Sequence, residues 1–152
     1  MEKPVKPTGK RRLARELAVQ FLYQFDLGGG SLKEALPLFW ETQPEVGDVG
    51  RKFAEELVQG VMERRAVIDE HIGKYADNWD LPRIAAVDRN ILRLAIYEML
   101  YRDDIPPVVS INEAVDIAKK FSTAESGAFV NGILDRLKAD LTRPSRTATS
   151  AQ

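Results

Sequence analysis

The chain has 152 residues, of which 44% are hydrophobic and 30% charged, and 22 basic against 23 acidic groups leave a net charge of −1. This is the balance of a globular chain with its own core, neither a uniformly basic histone-like binder nor an acidic disordered chain. Cysteine is absent, which excludes disulfides, thiolate metal sites and cysteine nucleophiles. No apolar run reaches membrane-spanning length, and the N-terminus lacks the apolar segment of a secretory signal, so a cytoplasmic protein without a membrane partner is expected.

Charge is uneven. Residues 1–15 hold Lys3, Lys6, Lys10, Arg11, Arg12 and Arg15 against Glu2, a net of +5, which leaves −6 for the rest of the chain. A basic arm on a mildly acidic body is a footprint for an anion. A terminal cluster that only aids solubility is the plainer alternative.

Residues 1–9, with Pro4, Pro7 and Gly9, read as a flexible arm. The first helix is expected from near Lys10. Leu13, Leu17, Phe21 and Phe25 recur every fourth residue, with Arg12, Arg15, Glu16, Val19 and Tyr23 on the opposite side. Gly28-Gly29-Gly30 ends it. Ser31 is the expected N-cap of a short helix through Trp40, and Thr42 to Gly50 reads as loop. One longer helix is expected from about Phe53 to Tyr75, with Gly60 a point of close packing or weakness. Asp77 to Pro82 is a connector.

The next helix, Asp88 to Arg102, is apolar nearly all round and should lie at the centre. Arg89, Arg93 and Tyr97 form its polar seam. Glu98 falls within the apolar arc and requires a buried partner. Pro106-Pro107 stops this helix. Ser110 and Glu113 have the spacing of a capping box. That helix runs to about Phe121, and a final helix carries Phe129, Val130, Ile133, Leu134, Leu137 and Leu141. Residues 143–152 read as a disordered tail. The expected fold is all-α: two small helical bundles packed together, about 10–76 and 82–142, forming one domain over 10–142.

Catalytic chemistry has little support. His71 is the only histidine, which excludes a multi-histidine metal site, and it continues an apolar face. No phosphate-cradling glycine motif or nucleophile elbow occurs. Neither catalytic residues nor a cofactor are expected. Single-stranded RNA, by contrast, is bound by Arg and Lys contacts to phosphates and by bases stacked on rings. Arg11, Arg12 and Arg15, and the pairing of Lys119-Lys120-Phe121-Ser122 with Phe129, supply those groups. As structure alone, the lysines would suit a helix C-terminus and the rings a core.

Residues 12–23, RLARELAVQFLY, resemble the first helix of the NusB family of transcription antitermination factors. Residues 87–99, VDRNILRLAIYEM, residues 110–121, SINEAVDIAKKF, and the FVNGILD run at 129–135 resemble further family blocks in the family's order. The likeness spans about residues 10–137, with 29–80 matching in helical pattern alone. It implies binding of boxA, a short single-stranded RNA element, together with NusE, a small-subunit ribosomal protein. It further implies joining the RNA polymerase elongation complex with other Nus factors to support ribosomal RNA transcription. By family position Lys10, Arg11, Arg12, Arg15, Arg93, Lys119, Lys120, Ser122, Glu125 and Phe129 border the RNA. Glu16, Tyr23 and Asp88 lie toward NusE. The family includes monomers and homodimers, so a homodimer stays open. The loop expected at 122–128 is smaller and less charged than in many relatives.

Two other classes compete. A similar helical module precedes the catalytic part of some ribosomal RNA cytosine methyltransferases, but this chain shows neither a cofactor-binding sheet nor a cysteine nucleophile. A helical adaptor that binds only protein leaves the +5 arm unexplained.

Overall fold

The computed structural model describes residues 7–77 and 80–142; the arm at 1–6 and the tail at 143–152 lie outside them. The described residues form seven α-helices, a short 3-10 turn and no strand. Helix α1 spans Pro7–Gly28, α2 Leu32–Glu41, α3 Asp48–Glu63 and α4 Arg65–Tyr75. After the turn Leu81–Arg83 come α5 Ala86–Tyr101, α6 Pro107–Phe121 and α7 Ala124–Thr142.

Helix α1 begins earlier than expected, at Pro7, where a missing N–H costs no intrahelical bond. It stops where Gly29 and Gly30 take φ of +71° and +102°, a left-handed conformation that other residues rarely adopt. Ser31 precedes α2 as its N-cap, without a side-chain capping bond. Phe21 meets the edge of Phe39 at 5.4 Å between centroids, and Phe39 meets Trp40 at 5.3 Å, so aromatic packing fastens α2 to α1.

The single helix expected over 53–75 is two helices. The chain breaks at Arg64 (φ −115°, ψ 16°), whose guanidinium lies 4.2 Å from the centroid of Tyr101. A turn within an otherwise helical pattern leaves no mark on apolar spacing, because both pieces keep the same period.

Helix α5 is the central element, packed against α1, α3, α4, α6 and α7. Ile91, Leu92, Ile96 and Glu98 on it are among the most buried side chains of the protein. The fold is all-α, as expected, with α5 packed against helices on both sides of it in the chain. Gly60 of α3 is the site of closest approach. A Cβ there would lie 2.0 Å from Cζ of Tyr97 on α5, so only glycine admits that ring.

The polar side expected for α1 is not a solvent side. Arg15, Glu16 and Val19 are buried, whereas Leu13 is 46% exposed. A helix that contacts α2, α3 and α5 and also ion-pairs with α6 has little circumference left for water. The capping box is also replaced. Helix α6 starts three residues before Ser110, at Pro107, so Ser110 and Glu113 lie inside it and point into the protein.

Candidate nucleic-acid interface

Helices α1 and α6 run in the same direction and are bridged by long ion-paired side chains. Arg12 Nη2 donates to Asp116 Oδ2 at 3.0 Å, and one turn on Lys120 Nζ donates to Glu16 Oε1 at 2.9 Å. Both members of each pair advance by four residues, one helical turn, which fixes the parallel register. Arg12 Nη2 also makes a close ionic hydrogen bond to Glu113 Oε2.

Beneath these pairs sits a buried network. Arg15, 3% exposed, donates from Nε and Nη2 to the two oxygens of Glu98 at 2.8 and 3.0 Å, and from Nη1 to Glu113 at 3.2 Å. Ser110 Oγ donates to Glu98 Oε1 at 2.8 Å. The partner that Glu98 demanded is therefore Arg15, with Ser110 taking a further lone pair. Burial alone would raise the Glu113 carboxyl, but the bonds and charges of Arg12 and Arg15 outweigh it and hold it below the ordinary range.

The α6–α7 junction completes the surface. Lys119, Lys120, Ser122 and Glu125 are exposed, and Phe129 is half-buried. The stretch expected as a loop is mostly helix. Thr123 Oγ1 accepts from the Ser126 amide at 3.0 Å and caps the first turn of α7. Ser126 Oγ donates to Asp88 Oδ2 at 3.1 Å, joining α7 to the start of α5. Asp88 is buried and its Oδ1 has no hydrogen-bond partner among the described residues. Burial pushes its carboxyl above the ordinary range, and the bond from Ser126 offsets this only in part. Gly127 is a seat for Lys119: a Cβ at 127 would come within 2.9 Å of Lys119 Cγ. The glycine lets the lysine stem lie across α7 with its ammonium in water.

Two of the expected RNA contacts are placed otherwise. Arg15 is enclosed as described. Arg93, also 3% exposed, lies eleven residues nearer the C-terminal end of α1, against Asp26. It donates to Asp69 at 2.8 and 3.1 Å, to Asp26 at 3.1 Å and to Asn90 at 3.1 Å. Arg89 and Arg65 converge on the same Asp26. Both guanidiniums are spent on internal carboxylates, so they hold helices together instead of presenting charge. Of the residues expected to face NusE, Glu16 and Asp88 are buried and bonded to Lys120 and Ser126, while Tyr23 is half-buried. Asp26, Asp69 and Asp116 escaped the sequence reading, and Glu113 figured there only as half of a capping box. The unmatched arginines on apolar helices were the signal for them, since a buried cation needs a carboxylate.

Lys10 is exposed and has no ion-pair partner among the described residues, while Arg11 lies against Phe53 at 4.4 Å and near Asp104 at 4.0 Å. Lys119 and Lys120 on α6 stand exposed beside the α1–α6 ion pairs, Lys10 stands with Arg11 on the side of α1 that faces α3, and Phe129 lines a cleft with Tyr75 and Arg136. The described residues hold no cluster of His, Cys, Asp or Glu suited to a metal.

A two-bundle helical fold with exposed lysines at the start of α1 and the end of α6, over a buried ionic network, defines the class as a small all-α protein. The profile of the NusB family matches residues 12–139, and the chain belongs to that family. It is 55% identical over 131 residues to the transcription antitermination protein NusB of Trichlorobacter lovleyi, covering 86% of this chain and 92% of the relative. It is 48% identical over 133 residues to the NusB of Geobacter sulfurreducens, covering 88% and 96%. Among solved structures it resembles T. maritima NusB with a TM-score of 0.78, 36% identity and coverage of 92% and 94%. It also resembles a chain of the antitermination factors NusB and NusE in complex with double-stranded RNA, with a TM-score of 0.79, 28% identity and coverage of 86% and 97%.

Proposed function

We propose that this protein is a cytoplasmic transcription antitermination factor that binds boxA-type single-stranded RNA together with NusE. The pair joins the RNA polymerase elongation complex with other Nus factors and supports ribosomal RNA transcription. The observation that carries this reading is the set of exposed lysines at helix ends, Lys10 at the start of α1 and Lys119 and Lys120 at the end of α6. A solved complex of the antitermination factors NusB and NusE with RNA, similar in fold, supports the choice of partners.

In this reading Lys10, Arg11, Arg12, Lys119 and Lys120 attract phosphates, while Ser122, Glu125 and Phe129 border the bases. Arg15 and Arg93 position helices. Tyr23 with the Glu16 and Asp88 region faces NusE. Phosphate contacts supply affinity, and NusE with a few base contacts supplies selectivity. No catalytic step and no cofactor belong to this function.

The test is binding of a boxA-type RNA and a scrambled RNA of equal length, with and without NusE, at about 50 and 200 mM salt. If about four phosphates are neutralised, affinity falls by nearly two log units between those salts. Selective binding that tightens with NusE is expected. Equal, weak binding of both RNAs that NusE does not change would leave a helical adaptor.

A further inference from the structure

A second basic surface lies around the α1 N-terminus from the α6 seam. Arg11 and Arg12 are adjacent in sequence and so about 100° apart on the helix. Arg12 faces Glu113 and Asp116 of α6, and Arg11 faces Phe53 of α3. There the N-terminal ends of α1 and α3 and the C-terminal end of α5 enclose a cleft of about 340 Å³, with Lys10, Arg11, Lys52 and Arg102 in its wall. Glu56 is the acid in that wall, and Asp104 bonds Arg102 from the rim at 2.9 and 3.0 Å. Four cations therefore stand against two carboxylates.

The charge that is left over is at the mouth. Arg102 is committed to Asp104 and, at 3.5 Å, to Glu56. Arg11 reaches only Asp104, at 4.0 Å, which Arg102 already holds. Lys10 and Lys52 are exposed and have no ion-pair partner among the described residues. The floor is Phe53, buried beneath the guanidiniums of Arg11 and Arg102 at 4.4 and 5.3 Å. A ring covered in this way orients the guanidiniums but offers no face to a base. The site is suited to a phosphate and has nothing with which to read sequence.

We propose that this cleft takes a backbone phosphate of the RNA strand where it runs on past the recognised element, crossing the α1 N-terminus from the α6 side to the α3 side. Lys10, Arg11 and Lys52 line the cleft, and Arg12 next to Arg11 faces the α6 side. The proposal rests on the RNA-binding reading above and extends it from a single seam to a strand path with a sequence-independent second anchor.

The test uses the full chain with NusE and two RNAs, a minimal boxA-type element and the same element with unstructured flanks on both sides. In Lys52→Ala and Lys52→Glu, binding of the flanked RNA should weaken, by about fivefold for the alanine variant and more for the glutamate. The minimal element should bind as before. The salt slope on the flanked RNA should fall by about 0.7 for the alanine variant, the value of one phosphate contact on a single strand. Lys52 is exposed, so thermal unfolding of both variants should match the parent and exclude a folding defect. Unchanged binding of the flanked RNA, or an equal loss on both RNAs, overturns the cleft. An unaltered protein that binds neither RNA overturns the RNA-binding reading itself, a distinct result.

Discussion

Arg15 and Glu98 form a two-bonded ion pair, 2.8 and 3.0 Å, between α1 and the central helix α5, with both side chains almost wholly removed from water. Two charges taken out of water need each other, and removing one strands the other. Arg15→Ala or Glu98→Ala should therefore cost about 3–5 kcal/mol of stability, measured by urea unfolding. The double change Arg15→Met with Glu98→Leu should cost much less than either, because it leaves no unpaired charge. A loss under about 1 kcal/mol for Arg15→Ala would show that the guanidinium is not locked in the core.

Gly60 meets Tyr97 so closely that an added methyl group has no room. Alanine improves helix propensity by about 1 kcal/mol at an ordinary site. Here Gly60→Ala should instead destabilise by about 1–3 kcal/mol through overpacking. Combining it with Tyr97→Leu should restore part of that loss, and a stabilised single variant would refute the contact.

Stability should fall in acid through Asp26 and Glu113. Burial opposes their charge, but Arg89, Asn90 and Arg93 hold Asp26, and Arg12 and Arg15 hold Glu113, below the ordinary carboxylate range. A lowered folded pKa gives stability that is present above the unfolded pKa and is lost as pH falls through the folded one. Asp26→Asn should lower stability at pH 7 and flatten the acid limb of a stability-against-pH curve. Asp88 has the opposite sign, since burial raises it above the ordinary range. Its charged form is a cost that appears as pH rises through that raised pKa, so Asp88→Asn should gain relative stability at pH 7 compared with pH 4. An Asp88→Asn curve parallel to that of the parent would contradict this.

The exposed lysines should act on RNA more than on the fold. Changing Lys10, Lys119 and Lys120 together to Ala should reduce the salt slope of RNA binding by about 2, with RNAs of all sequences weakened alike. Unfolding should shift by no more than about 0.5 kcal/mol for Lys10→Ala, and Lys120→Ala should cost more, because it leaves the buried Glu16 without its cation. Tyr23→Asp should leave RNA binding by the isolated chain intact and weaken the gain from NusE. An unaltered salt slope in the triple variant would remove these lysines from the interface.

Much of the architecture was legible because it depends on short-range rules. Gly28–Gly30 stops α1 and Pro106-Pro107 separates α5 from α6 whatever surrounds them. The all-round apolar pattern of α5 required the centre of the molecule, and Glu98 within it required a buried partner. The family blocks at 87–99 and 129–135 pointed to RNA before any contact was known. The tertiary structure alone decided which charges remain free to meet it. Arg12, Arg15 and Arg93 look alike as letters, yet Arg15 and Arg93 are enclosed by Glu98, Glu113, Asp26 and Asp69, carboxylates 24 to 98 residues away in the chain, while Arg12 is half-buried and bonded to Glu113 and Asp116. Apolar periodicity reports how many sides of a helix are buried, but it does not report which neighbour brings a compensating charge. For that reason Ser110 and Glu113 resembled a helix cap and proved to be parts of a buried network. Gly60 read as a point of close packing or of weakness, and the seat it gives Tyr97 makes it the former. Partners remote in sequence are set by helix packing, and packing assigned each arginine to the core or to the surface.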